Sequence, residues 1–245
     1  MLVIILAVSS YAFLYYKKYQ KETVPIAVTV EEILQKNETG SVTSASTGAT
    51  LRQETIPANL NLKAAFFSQA PYGNWDYPWQ EACEEASILL VANAYLHKNW
   101  DTAQFNEEIL KLVEWQNRQY GDYQHTTMVQ TAEMLEANFG LKSLLHDNPT
   151  LEDMKKILSQ GHFIILPLAG RELGNPYYSN GGPNYHAVML KGYKDTGKLI
   201  VHDVGTKRGE DYVYPWPVID NALHDYAEPI YKGVRRIIEV LPPNQ

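Results

Sequence analysis

The chain has 245 residues, 45% of them apolar and 20% charged, which is ordinary for a globular protein and enough for one good-sized domain with extensions. A net charge of −7 argues against nucleic acid as a partner, because phosphate binding needs a basic face. The single cysteine, Cys83, excludes an intrachain disulfide and any multi-cysteine zinc or iron–sulfur site.

Residues 1–16 read MLVIILAVSSYAFLYY and are bordered by Lys17, Lys18 and Lys21. The run is shorter than the roughly 20 residues that cross a bilayer untilted. It has no basic leader and no clean small-x-small cleavage site. Its place at the extreme N-terminus and its abrupt lysine border predict a membrane anchor or export signal over residues 1–21, uncleaved rather than cleaved. Lysines after the run would hold the domain cytoplasmic by the positive-inside rule, though the charge bias is small. Residues 22–60 read as a linker. Within them 24–34 have the makings of a brief strand or helix, and 36–55 (KNETGSVTSASTGATLRQET) are Ser/Thr/Gly/Ala-rich without an apolar period. Asn37-Glu38-Thr39 fits the glycosylation triplet, a pattern common by chance.

The folded domain is predicted over residues 61–245. Residues 64–68 form a strand candidate. An aromatic, turn-rich stretch follows (Pro71, Tyr72, Gly73, Trp75, Tyr77, Pro78, Trp79) and delivers Cys83 to the first turn of a helix that is apolar on most sides up to Leu96, the mark of a central helix. Residues 101–119 are amphipathic, with Phe105, Ile109, Leu112, Val113 and Gln116 on one face and Asp101 or Thr102 as N-cap. Residues 127–139 form another helix, ended by Gly140. Thr150 and Asp153 make a short capping box for a third, stopped by Gly161. The period then changes. Residues 162–168 (HFIILPL) are a continuous apolar strand, 171–184 a Gly/Asn/Pro-rich loop, and 185–193 (YHAVMLKGY) a strand that turns at Asp195-Thr196-Gly197-Lys198 into the returning strand 199–204. Strands at 211–214 and 234–241 and a helix at 215–225 complete the order. Helices first and an antiparallel sheet second make the fold class α+β, two halves facing each other across a cleft.

A lone cysteine is usually a small buried apolar residue. Cys83 has other company. A helix N-terminus stabilises anions and so favours a thiolate. Thiol catalysis also needs a base, a group to orient the base and donors for the oxyanion. His186 opens one strand of the hairpin and Asp203 ends the other. The turn centre near Thr196 and Gly197 puts directly opposed residues at sums of about 391 to 393, so the two meet across a bulge or on a diagonal. Histidines 162 and 202 read as packed strand residues, and 97, 125, 146 and 224 as solvated. No HxxH or HxxxH pair points to a metal, and nothing points to a cofactor.

The order cysteine, histidine, carboxylate resembles that of papain-like proteases. Residues 64–241 resemble in particular the C39-like peptidases of bacterial exported proteins, through SQAP at 68–71, WQEACEEAS at 79–87, QGHFIILPL at 160–168, YHAVMLKGY at 185–193 and HDVGTKRGE at 202–210. The resemblance implies a papain-like α+β fold, a helical lobe carrying the nucleophile helix against an antiparallel sheet. It implies Cys83 as nucleophile, His186 as general base, Asp203 as the residue orienting the imidazole, and a peptide or protein as substrate. A glutamine upstream of the cysteine donates to the oxyanion; Gln69 matches it best, with Gln80 as a rival. An exported family member would stand on the extracytoplasmic face, against the lysine bias noted above. Where many members carry Gly-Pro after the cysteine, this chain has Glu84-Glu85. Two carboxylates there should raise the thiol pKa unless they are turned away or bind backbone N–H groups behind the cleft. A peptide-binding module with a weak site is the alternative to an active hydrolase, and transpeptidation would use the same residues.

Overall fold

A computed structural model describes residues 21–39 and 56–243. The anchor expected at 1–21 lies outside them apart from Lys21, as do residues 40–55 of the expected linker. Among the described residues no helix is long and apolar enough to cross a membrane.

The architecture is α+β, as the sequence predicts. One antiparallel sheet is built from β1 (Leu60–Asn61), β2 (Ser143–Asp147), β3 (Phe163–Ala169), β4 (Tyr185–Lys194), β5 (Lys198–His202), β6 (Tyr212–Pro215) and β7 (Arg236–Val240). Its order is β2-β7-β3-β4-β5-β6, with β1 pairing β4 off this path. The helices are α1 (Val30–Thr39), α2 (Cys83–Tyr95), α3 (Thr102–Tyr120), α4 (Met128–Phe139), α5 (Leu151–Ser159) and α6 (Trp216–Ala222). All but one residue of α2 is buried, because it lies between the sheet, through β4, and the helices α3 and α4. That position explains its all-round apolar sequence. Capping boxes start α3 (Asp101 with Gln104), α4 (Thr127 with Gln130) and α5 (Thr150 with Asp153), and glycines 121 and 140 end α3 and α4 in the left-handed region.

The hairpin of β4 and β5 runs in the expected register near its turn, where Lys194 faces Lys198 and Gly192 faces Ile200. The register then shifts by one between Gly192 and Leu190, which faces Val201. The extra residue is Lys191. Its side chain is buried, with Nζ 2.6 Å from Asn61 Oδ1 and 2.7 Å from Asp211 Oδ1. Gly192 permits β1 to lie against β4: a Cβ there would stand 2.3 Å from the Leu60 carbonyl oxygen.

Part of the expected linker is instead structured. Val28 bridges Leu62 in parallel, donating to the Asn61 carbonyl and accepting from Lys63 N–H at 2.8 and 2.7 Å. Asn61 Nδ2 reaches the Pro25 carbonyl at 3.0 Å. Glu22 holds Lys194 at 2.6 Å and Lys198 at 2.8 Å, and α1 buries Val30. The cause is that apolar side chains at 24–34 find a sheet edge and α5–β3 turn to cover, which the low-complexity stretch after them masks in sequence. Residues 64–68 form no strand, against the expectation, and β2 is an additional edge strand, its Leu144 and Leu145 both exposed.

Candidate active site

Cys83 is the first residue of α2, entered through a short 3-10 turn at Trp79–Glu81. The four N–H groups that open a helix have no intrahelical acceptors, so the Cys83 amide has none within α2. The thiol is 5% exposed. It donates to Glu84 Oε2 at 2.9 Å, and the Ala187 backbone N–H donates to its sulfur. Burial, the Glu84 charge and the hydrogen bond to Glu84 hold the thiol well above its ordinary pKa, and only the Ala187 amide pulls the other way among the main contributors.

Ala187 follows His186 on β4, so this contact sets the sulfur against the same stretch of strand as the imidazole. His186 Nε2 lies 2.9 Å from Asp203 Oδ1, both side chains being buried. That bond fixes a proton on Nε2 and leaves Nδ1 as the ring's other acceptor. The register past the bulge sums to 391, which places residue 205 opposite His186 and Asp203 on a diagonal. Gly205 fills that place: a Cβ there would stand 2.8 Å from His186 Cε1 and 3.0 Å from Nε2. Cys83, His186 and Gln69 line one cleft of about 530 Å³ together with Trp75, Tyr178 and Arg208.

Asp203 is enclosed by donors. Oδ1 accepts from His186 and from Gly205 N–H at 3.1 Å; Oδ2 accepts from Tyr178 Oη and Tyr214 Oη, each at 2.7 Å, and from Asn175 Nδ2 at 3.0 Å. Burial alone would raise its pKa, but the charge and hydrogen bond of His186 and the two tyrosine hydroxyls overcome it and hold the carboxyl below its usual value. The tyrosines and Asn175 carry no motif of their own in the sequence.

Gln69 is buried in the cleft wall, but its Nε2 spends both hydrogens on the carbonyls of Trp79 and Gln80, at 2.9 and 3.0 Å, and its Oε1 has no partner among the described residues. It clamps the loop that presents Cys83. Gln80, the rival, is exposed and donates to Glu81. Of the aromatics before Cys83, Trp75 lines the cleft, Trp79 donates to Asn106 Oδ1 at 2.9 Å, and Tyr77 is exposed.

Glu84 and Glu85 are both buried. Glu84 Oε1 accepts from Thr126 N–H at 2.9 Å, so one of the pair does bind backbone behind the cleft. Burial pushes Glu84 up to about 7. Burial and the neighbouring Glu84 push Glu85 well above the usual range, with Gln116 Nε2 donating to its Oε1. Both carboxyls therefore bind protons in the folded chain that they release at about 4.5 when unfolded, and stability falls as pH rises from there through neutrality. A rise from 4.5 to about 7 for Glu84 alone corresponds to roughly 3 kcal/mol. Urea denaturation should find the wild type less stable at pH 8.5 than at pH 5, and Glu84→Gln/Glu85→Gln should remove most of that difference. Equal pH dependence in both proteins would contradict the assignment.

Among the described residues no group of three or more histidine, cysteine or acidic side chains is placed to hold a metal ion. The family model described as peptidase C39-like matches residues 61–233. No curated protein matches the chain. Among solved structures it is similar to a C39-like peptidase candidate from Bacillus anthracis, at 14% identity over 74% of this chain and 96% of that one, with a TM-score of 0.49. It is also similar to UfSP from C. elegans (12% identity, 80% of this chain and 36% of that one, TM-score 0.43) and to the Pseudomonas avirulence protein AvrPphB (9%, 66% and 92%, TM-score 0.29).

Proposed function

The chain belongs to the peptidase C39-like family, and from that premise we propose that it is a cysteine peptidase that hydrolyses peptide bonds through Cys83, His186 and Asp203. The observation that carries the reading is the chain of contacts from the Cys83 sulfur to Ala187 N–H beside His186, and from His186 Nε2 to the caged Asp203 carboxylate.

The thiol proton passes to His186 Nδ1. The S–H bond breaks, an N–H bond forms, and Asp203 stabilises the resulting imidazolium. The thiolate attacks the scissile carbonyl, and the Cys83 N–H at the helix start takes the oxyanion. Gln69 joins it as second donor when one of its two carbonyl contacts is released. His186 then returns the proton to the leaving amine, and water hydrolyses the thioester with His186 as base. The substrate is a peptide or protein, and residues 1–21 tether the domain on the extracytoplasmic face of a membrane.

A second reading, a peptide-binding module with a weak site, is favoured by two observations: the thiol is held neutral, and both Gln69 donors are engaged. Thiol labelling separates the two. At pH 6, iodoacetamide and an E-64-type epoxide should modify native Cys83 at least about tenfold faster than the unfolded chain. His186→Ala should remove that advantage and Cys83→Ala should remove labelling and hydrolysis together. Equal rates in native and unfolded protein, unchanged by His186→Ala, would establish the binding module.

A further inference from the structure

Cys83 has a second neighbour that the triad does not use. Glu84 Oε2 lies 2.9 Å from Sγ, and its other oxygen accepts Thr126 N–H. The side chain is 1% exposed. Among the described residues no lysine, arginine or histidine makes an ion pair with it. A buried carboxylate with two donors and no counter-charge is costly as an anion.

The groups around it act in both directions: Glu81 and Glu85 oppose the anion by charge, while the Cys83 thiol and the Thr126 amide favour it as donors. From its own helix come Glu85 and the Cys83 thiol, and from the turn before it Glu81. From β4 come the Tyr185 phenol, which feels the Glu84 charge, and His186 beyond it. Asp225, after α6, hydrogen-bonds that same phenol. From the segment leading into α4 comes the neutral Thr126 amide, and from α3 the neutral Gln116, through Glu85. The basic groups of the neighbourhood are His186, His125 next to Thr126, and Lys207 and Arg208 on the cleft that Cys83 lines, and among the described residues none of them makes an ion pair with Glu84.

We propose, on the cysteine peptidase reading above, that Glu84 is a further catalytic residue: its protonated carboxyl donates a hydrogen bond to the Cys83 thiolate, and its ionised form keeps the thiol protonated. With Glu84 neutral, the thiol proton moves to His186 Nδ1 while the carboxyl keeps its own proton and turns O–H toward sulfur. The anion then has three donors: Glu84 O–H, Ala187 N–H and the imidazolium. With Glu84 ionised, its oxygen can only accept, so the S–H···O⁻ contact holds the thiol closed and a thiolate would face a second anion at 2.9 Å. The burial-driven rise of Glu84 to about 7 puts this exchange at neutral pH. The enzyme is then most reactive on the acid side, the reverse of an ordinary thiol, whose reactivity grows with pH.

The test is the rate of Cys83 alkylation by iodoacetamide from pH 5 to pH 9 on the full chain, which needs no substrate. Wild-type reactivity should fall about tenfold between pH 6 and pH 8, the magnitude of one charge-assisted hydrogen bond. Glu84→Gln carries a permanent N–H donor and should keep its rate at pH 8, about tenfold above wild type there. Glu84→Ala should be slow at pH 6, with the acid-side maximum gone. Glu85→Gln, which touches no sulfur, should keep the wild-type profile shape. Wild-type reactivity that climbs steadily with pH overturns the proposal, whatever the variants do. So does a Glu84→Gln profile that tracks wild type. An acid-side maximum without hydrolysis of any peptide would count against the peptidase reading and leave the role of Glu84 beside the thiol standing.

Discussion

An Asp203→Ala variant should unfold about 3–5 kcal/mol more easily than wild type, the cost of removing one partner from a buried charged pair. Asp203 is fully buried and is the shared acceptor for Tyr178, Tyr214, Asn175, Gly205 N–H and His186. Removing it leaves several buried donors without acceptors at once, and each such group costs about 1–3 kcal/mol where it finds no water. The melting temperature should drop by roughly 10 °C, and native Cys83 labelling should slow because Nε2 loses the partner that orients the ring. Asp203→Asn keeps the volume but brings an NH₂ group among donors, so it should recover only part of the stability. Its pH dependence has a definite sign. The folded carboxyl sits below its usual value, so its contribution is full above about 3.8 and is lost as pH falls through the lowered value. Urea titrations of the three proteins at pH 7 check the order. A loss under 1 kcal/mol for Asp203→Ala would show that the donors re-pair and that the cage is not structural.

Gly205→Ala is expected to strike the reaction harder than the fold. The added methyl meets the His186 ring at 2.8 and 3.0 Å and the Tyr178 ring at 3.2 Å. The stability cost should be that of modest overpacking, about 1–3 kcal/mol. The ring must shift by some tenths of an ångström, and catalysis that depends on its position should fall on the order of 10- to 100-fold, mainly in kcat. A steady-state assay on any peptide that the wild type cuts checks this. A variant with unchanged kcat would mean that the imidazole does not need its present place.

The parts of the molecule that announce themselves in sequence are those governed by local rules. Thr150 with Asp153 and the glycine at 140 forecast helix ends because caps are short-range chemistry. The turn at 195–198 forecasts the register of β4 and β5, and from that the diagonal approach of Asp203 to His186, with the bulge falling at Lys191. The Asp203 cage was hidden because Tyr178 comes from a Gly-rich loop and Tyr214 from a later strand, and only the folded sheet joins them. β2 was hidden because SLLHD has neither alternation nor a turn signal, and its partner is almost 100 residues away. Gln69 is a different case. Its motif marked it as important, and its buried amide is indeed placed in the cleft wall, but which way that amide points is set by the carbonyls of Trp79 and Gln80. Glu84 and Glu85 stood out as anomalies, yet their burial, which turns repulsion into proton uptake, could be read only once α3 and the Thr126 segment lay against them.

The strap made by residues 21–39 has a consequence for where the working unit begins. It fastens to Asn61, Lys63, Lys194 and Lys198 on one border of the sheet, through hydrogen bonds and ion pairs rather than through chain continuity alone. A chain starting at residue 56 would lack the partners that the strap gives to Asn61, Lys63, Lys194 and Lys198. The family match covers residues 61–233, while the segment that fastens Asn61 and the β4–β5 hairpin starts some forty residues earlier.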